Sequence, residues 1–474
     1  MEYIGEPAPY QKELVELSKT SPALGLLWDA GVGKTYAVIH AIRLQYNLNF
    51  RVMKTIIFSP LVTLWNWKAE FEKFSKVGHL VNVIDRKGAK RIKQIEELLN
   101  KDCIIIINWE ALRTTQVMEL LVQFNAEIIV GDEMHVLKNY KSTTAKLAIR
   151  LADNVRKHPH GRVYGMTGTA ILNSVQDIYM QYRFLDGGVL FGKNFFTFRN
   201  KYMYDKNANW VGKKKFPDWQ PRSELYPELT KKIYSISTKI SKKDALPYLP
   251  DLVEMKLFVE LSTEQSKLYS EMKRDFITWV NAQSVVVAQL AITKMLRMQQ
   301  IICGHVNDDE GNVHYIKENP RLGVLEDQLL QLVGEHKVIV WHTFKADATL
   351  IGRMLEKNKI EHVYINGDQD VNEKQRAMDA FNTMASCRVL VGNRRAGGIG
   401  INLIAADYSV VYSRNFSLGE EEQSKARNHR RGSEIHEKII KIDLIAKETI
   451  DETLAEALRS KADVASTVLT YLKE

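Results

Sequence analysis

Two series of short apolar runs, separated by helix-like segments, constrain this chain more than any other feature. The first series is LGLLW (24–28), TIIFS (55–59), CIIIIN (103–108), EIIVGD (127–132) and RVYGMTG (162–168). The second is KVIVW (337–341), HVYING (362–367), RVLVG (388–392), YSVVYS (408–413) and IIKIDLI (439–445). Runs of Ile and Val that turn polar only at their C-terminal ends are the pattern of strands covered on both faces. Strand–helix alternation implies parallel sheets joined by right-handed crossovers. The expected class is α/β, with two doubly wound parallel-sheet lobes and helical insertions. The longest apolar runs have strand length and are too short to span a bilayer.

A chain of 474 residues is too long for one ordinary core. The expected division is 1–185 for the first lobe and 186–245 for an aromatic and basic helical insertion. Residues 246–320 form a linker and helical insertion of the second lobe, 321–450 the second lobe, and 451–474 an amphipathic helix bracing its own domain. Pro247 and Pro250 punctuate the passage between lobes. The insertion is expected from FFTFRNKYMY, VGKKKFPDW and KKIYSISTKISKK.

Hydrophobic and charged fractions of 45% and 26% are those of a soluble globular protein. Cys103, Cys303 and Cys387 have no metal-ligand spacing, which argues for a reduced cytosolic setting without disulfide or zinc. His158 and His160 read as loop residues. The N-terminus MEYIGEPAPYQ has neither a basic start nor an apolar core, so no signal peptide is expected. A net charge of +9 favours a polyanionic partner without naming one.

Residues 28–35 read WDAGVGKT, between the strand LGLLW and the helical segment YAVIHAIRLQY. Gly31 and Gly33 permit positive φ angles, so that backbone N–H groups face phosphates at a helix N-terminus. Lys34 would reach the β- and γ-phosphates and Thr35 would offer a hydroxyl to Mg²⁺. DEMH at 132–135 follows another buried strand. A carboxylate pair there lies at the C-terminal sheet edge beside the loop: Asp132 to hold Mg²⁺, Glu133 to deprotonate water. The pattern is that of an ATP hydrolase. In QSKARNHRRG (423–432), Arg427 and Arg430 are expected on one helix face, able to stabilise charge on a transferring phosphoryl group.

With loop, carboxylates and arginines in this order, the chain resembles superfamily 2 nucleic-acid motors, and within them the Swi/Snf-type DNA translocases. PYQ (9–11) is similar to the family's adenine-reading block, which gives Gln11 that role. SPLVTLWNWKAEFEKF (59–74), INWEALR (107–113), DEMHVLKN (132–139) and MTGTAILNS (166–174) resemble further ordered blocks of its first lobe. LPYLPDLVEMKLFVELSTEQSKLY (246–269) and LRMQQIICGH (296–305) resemble blocks peculiar to the Swi/Snf-type branch. AGGIGINLIAAD (396–407) and QSKARNHRRGS (423–433) resemble the last two motor blocks.

The resemblance implies RecA-like lobes, ATP and Mg²⁺ as ligands, and double-stranded DNA as partner, with a DNA-bound protein as a further one. It implies no membrane association, and the oligomeric state stays open, a monomer being compatible. Ser59, Asn108, Thr169, His342, Gly367 and Arg394 would face DNA. Thr167, Thr169 and the loop with Gly397, Gly398, Gly400 and Asn402 would couple the ATP site to the DNA grip, Gly400 also touching nucleotide. Lys213, Lys214 and Lys215 are a further candidate contact. Trp28, Ala170, Asn393, Arg394, Leu418 and Ala426 depart from the family pattern. They point to a divergent bacterial or phage branch acting in the cytoplasm. The rival function is a superfamily 2 helicase that separates DNA or RNA strands. A catalytically idle scaffold would lack the lysine, glutamate or arginines, and a small-molecule kinase would need no second lobe.

Overall fold

The computed structural model describes residues 3–168, 174–207, 217, 219–282, 288–308, 310–394 and 402–460. They form two compact units, Met1–Pro247 and Tyr248–Glu474.

The first unit contains strands β1 (Ala23–Trp28), β2 (Thr55–Ser59), β3 (Val81–Ile84), β4 (Ile104–Asn108), β5 (Ile128–Asp132), β6 (Arg162–Met166), β7 (Met203–Asp205), β8 (Trp219–Pro221) and β9 (Ser237–Ile240). Seven of them make one sheet, in the order β3-β4-β2-β5-β6-β1-β9, with every pairing parallel. β2, β4 and β5 are buried along their whole length. Their Ile and Val side chains pack on both sides of the sheet, as two-sided helical cover demands. Two strands of this sheet were not expected. VNVI at β3 is only four residues long. STKI at β9 is an edge strand whose Lys239 is exposed, so its composition hides its pairing with β1. β9 lies in the stretch expected as insertion, yet it extends the first sheet, because its partner β1 offers Gly25–Trp28 as an unpaired flank. β7 and β8 form a separate antiparallel pair.

The second unit contains β10 (Asp251–Val259), β11 (His305–Asn307), β12 (Val313–Tyr315), β13 (Val338–His342), β14 (His362–Ile365), β15 (Val389–Asn393), β16 (Tyr408–Val411) and β17 (Lys438–Ala446). Its sheet runs β10-β17-β16-β13-β15-β14, again wholly parallel. β10 is an edge strand with most side chains exposed, which is why DLVEMKLFV carries no buried-strand signature. The helix Ile450–Ser460 sets Ile450, Leu454, Ala457 and Leu458 against Met295, Met298 and Ile301. Residues 461–474, the rest of the expected brace, lie outside the described residues. No described helix is long and apolar enough to cross a membrane.

Candidate active site

In the order β5-β6-β1 the phosphate-loop strand, a central neighbour and the carboxylate strand stand side by side. Their C-terminal ends therefore open on one edge of the sheet, where ligands of such folds bind. Gly31 and Gly33 have φ of 88° and 81°. Gly33 caps the helix Lys34–Asn49, so Lys34 and Thr35 occupy its first turn. A Cβ at Gly33 would stand 2.4 Å from Gln11 Nε2, so a side chain there would displace the Gln11 amide as well as strain the positive φ.

Gln11 is buried and holds the loop from behind. Its Nε2 donates to the carbonyls of Val32 (3.4 Å) and Gly33 (3.3 Å), and its Oε1 accepts from Ala8 N–H (2.9 Å). Tyr10 Oη donates to the same Val32 carbonyl at 3.0 Å. Lys34 Nζ lies inside the loop, donating to the carbonyls of Trp28 (2.9 Å) and Asp29 (3.2 Å). Trp28 is buried, donates through Nε1 to Thr238 on β9 (2.8 Å), and meets Tyr10 edge-on at 5.1 Å. An indole there knits the loop to the sheet edge.

Asp132 ends β5 almost wholly buried. Ser59 Oγ (2.8 Å) and Trp67 Nε1 (2.9 Å) both donate to its Oδ2, and Trp109 Nε1 donates to its backbone carbonyl at 2.9 Å. Both side-chain bonds go to one oxygen of the carboxylate. Burial, then the neighbouring Glu133, pushes the Asp132 carboxyl up to about 6. Trp67, Ser59 and Lys34 pull the other way. A buried carboxylate that ends a strand two places from the phosphate-loop strand, in a sheet whose helix-start threonine follows that loop, fits a divalent cation.

Glu133 adopts a left-handed backbone, φ 50° and ψ 51°, uncommon for a residue other than glycine and strained by about 1–3 kcal/mol. Its carboxylate is a quarter exposed. His135 Nδ1 stands 3.1 Å from that carboxylate and 3.1 Å from Thr167 Oγ1. Thr167 follows β6, is fully buried, and its N–H donates to Leu26 of β1 at 3.0 Å. Glu133, His135 and Thr167 thus form one polar chain from the carboxylate pair to the end of the central strand.

Several residues expected at DNA occupy other places. Ser59 is fully buried, engaged with Asp132 and with Thr63 (2.6 Å), so its hydroxyl serves the carboxylate. Asn108 is buried between Glu110 (2.8 Å) and Arg91 (3.3 Å). His342 is also buried, its ring nitrogens on the Phe344 carbonyl (3.0 Å) and Asn366 Oδ1 (3.2 Å), and burial lowers its pKa. Arg394 is buried in an ion pair with Glu421. In these four, the polar end of a strand turns inward to satisfy a neighbour. Gly367 lies in an exposed turn, and Asn402 is exposed, its carbonyl accepting from Asn382 Nδ2 at 2.8 Å. Thr169, Gly397, Gly398, Gly400 and Lys213–Lys215 lie outside the described residues.

The arginine segment also differs from expectation. The helix Leu418–Lys425 stops before Arg427, so Arg427 and Arg430 do not share a helical face. Arg427 N–H bonds back to Ser424 at 3.2 Å, and its carbonyl accepts from Leu403 N–H at 3.1 Å. That tightened turn and the cross-link to another segment draw the chain off the helix axis. Both arginine side chains are half-buried.

A family model described as SNF2-related domain matches residues 10–307, and one described as Helicase conserved C-terminal domain matches residues 322–432. The chain belongs to the SNF2-related family. Over 466 residues it is 27% identical to an "Uncharacterized ATP-dependent helicase" of Mycoplasma genitalium, covering 97% of this chain and 42% of the relative. It is 25% identical over 459 residues to a "Chromodomain-helicase-DNA-binding protein 1-like" of Danio rerio, covering 93% and 41%. The chain thus spans less than half the length of these relatives. A solved Sulfolobus solfataricus SWI2/SNF2 ATPase core in complex with dsDNA aligns over 98% of this chain and 96% of its own, at 21% identity and a TM-score of 0.42.

For this SNF2-related chain, the residues that no site expectation included are Trp67, Trp109 and His135. Each sits in a block whose order pointed to the family, but no spacing rule links an indole to a carboxylate on another strand. The Asp132 environment sets a prediction. Its carboxyl has a pKa of 3.8 when unperturbed and about 6 in the fold. Because the folded value is raised, the ionised group costs stability above pH 6, and the cost fades as pH falls toward 3.8. D132N removes it. Without metal or nucleotide, D132N is expected to be the more stable protein at pH 8 by at most about 3 kcal/mol, with the gain shrinking by pH 5. Thermal unfolding across that pH range measures it, and a pH-independent difference would contradict the burial argument.

Proposed function

We propose that this chain hydrolyses ATP and uses the cycle to move along double-stranded DNA, remodelling DNA or DNA–protein complexes in a bacterial or phage-infected cytoplasm. The observation that carries the reading is the buried, donor-held Asp132 with strained Glu133, on the same sheet edge as the Gly31–Thr35 loop.

On this reading the phosphates meet the backbone N–H groups of the loop and the positive end of the helix Lys34–Asn49. Lys34 exchanges its two carbonyl partners for phosphate oxygens, and Gln11 reads the adenine. Thr35 and Asp132 would hold Mg²⁺, which would supply positive charge to offset that of the phosphates. Glu133 orients a water and accepts its proton as the oxygen bonds to the γ-phosphorus. The bond from that phosphorus to the bridging oxygen breaks, leaving ADP and phosphate. Arg427 and Arg430 stabilise charge on the transferring group. Thr167, bonded to His135, and Thr169 pass the change to the DNA grip. Two alternating states of grip, biased by nucleotide, suffice for a ratchet. The grip itself is on phosphates and does not read sequence.

The test is displacement of a third strand from a triplex, run beside unwinding of a forked duplex, with ATP. Release of the third strand without unwinding is the expected result. Unwinding of the fork would instead support a strand-separating helicase.

A further inference from the structure

The second unit holds a buried chain of alternating charge. Asp451, in the first turn of the helix Ile450–Ser460, pairs with Arg321 and with Arg414. Arg414 reaches Asp443 (2.7 Å), Asp443 reaches Lys441 (2.9 Å), Lys441 reaches Glu421 (2.8 Å), and Glu421 pairs with Arg394, the residue after β15. Apart from the partly buried Asp443, every member is buried. Burial alone would raise the Glu421 carboxyl, but Arg394, Lys441 and Arg414 hold it well below the usual carboxylate range. Such networks add little stability over apolar packing of the same volume. What this one specifies is where the helix Leu418–Lys425 stands.

From Glu421 the path to Arg427 is short. The Glu421 carbonyl accepts from Ser424 Oγ at 2.8 Å, and the Ser424 carbonyl accepts from Arg427 N–H at 3.2 Å. The far side of Arg427 is tied through its carbonyl to Leu403. Glu421 is therefore a buried charged anchor of the helix from which the Arg427 backbone hangs, with the Lys425–Glu254 pair (2.8 Å) holding the helix's C-terminal end. Arg394, which departs from the small hydroxyl residue of the family pattern, supplies one of its two cations.

We propose that Glu421 is a positioning residue for Arg427: Arg394 and Lys441 fix its carboxylate, and the helix so anchored sets where the Arg427 guanidinium acts. This rests on the reading of Arg427 as the group that stabilises phosphoryl charge.

The test is a double-mutant cycle on the full chain, with E421D, which keeps the charge but shortens its reach, and R427A. A small misplacement of a catalytic group is costly, so E421D is expected to lower DNA-stimulated kcat about 10-fold or more, with the KM for ATP and Tm little changed. In the R427A background, E421D should produce no further loss. The paired variant R394M/E421Q removes one charge of each sign and serves if E421D unfolds; it should show the same loss and the same non-additivity. Equal fold-losses in both backgrounds, or unchanged kcat, would overturn the proposal. An R427A protein with undiminished kcat would overturn it too, and would place the failure in the role of Arg427 rather than in that of Glu421.

Discussion

Replacing Arg427 by Ala is expected to lower the DNA-saturated kcat for ATP by about 10³–10⁵. A guanidinium delivered to the transferring phosphoryl group acts mainly where charge develops, so the loss should appear in kcat more than in KM. The Arg427 backbone is held on both sides, its N–H by Ser424 and its carbonyl by Leu403. Steady-state ATPase assays at saturating DNA, paired with a DNA-binding titration, measure the split. A variant that loses DNA affinity but keeps its DNA-saturated kcat would make Arg427 a phosphate-backbone contact instead.

E133Q is the second large effect, with turnover expected to fall about 10²–10⁴-fold. Glutamine keeps the shape of the side chain and can still accept from His135, so fold and nucleotide binding should persist. What disappears, on the proposed reading, is the group that takes a proton from water. The left-handed backbone at residue 133 strengthens the expectation, because a protein that places a strained residue beside a buried carboxylate forgoes an easier loop. Binding of a fluorescent ATP analogue should be retained within a few-fold while phosphate release stops. Unchanged hydrolysis would move the base to another residue.

The architecture was legible wherever strands are buried on both faces. TIIFS, IIIIN and VIVWH announce themselves because all but their terminal side chains are apolar. β9 and β10 were not legible, since an edge strand keeps polar residues and its membership depends on the partner. At the candidate site, the placement of Lys34 and Thr35 at a helix start and of Asp132 at a strand end was readable, because a glycine loop between strand and helix and a polar residue closing an apolar run are local patterns. The donors to Asp132 were not, for Trp109, Trp67 and Ser59 lie 23, 65 and 73 residues away in sequence and only the sheet order brings them together. Buried polar strand ends are ambiguous for the same reason. The sequence positions of Ser59, Asn108 and His342 suit a ligand-facing edge, and whether such a side chain turns outward or to a neighbour is decided by contacts no local pattern encodes.

The account stands most directly on the ATPase rate measured with no polymer, single-stranded DNA, duplex DNA, forked DNA and RNA. It predicts that duplex DNA gives the largest stimulation, matched by a fork through its duplex arm, with single strands and RNA well below. A rate that is the same with and without duplex, or highest with RNA, would contradict it.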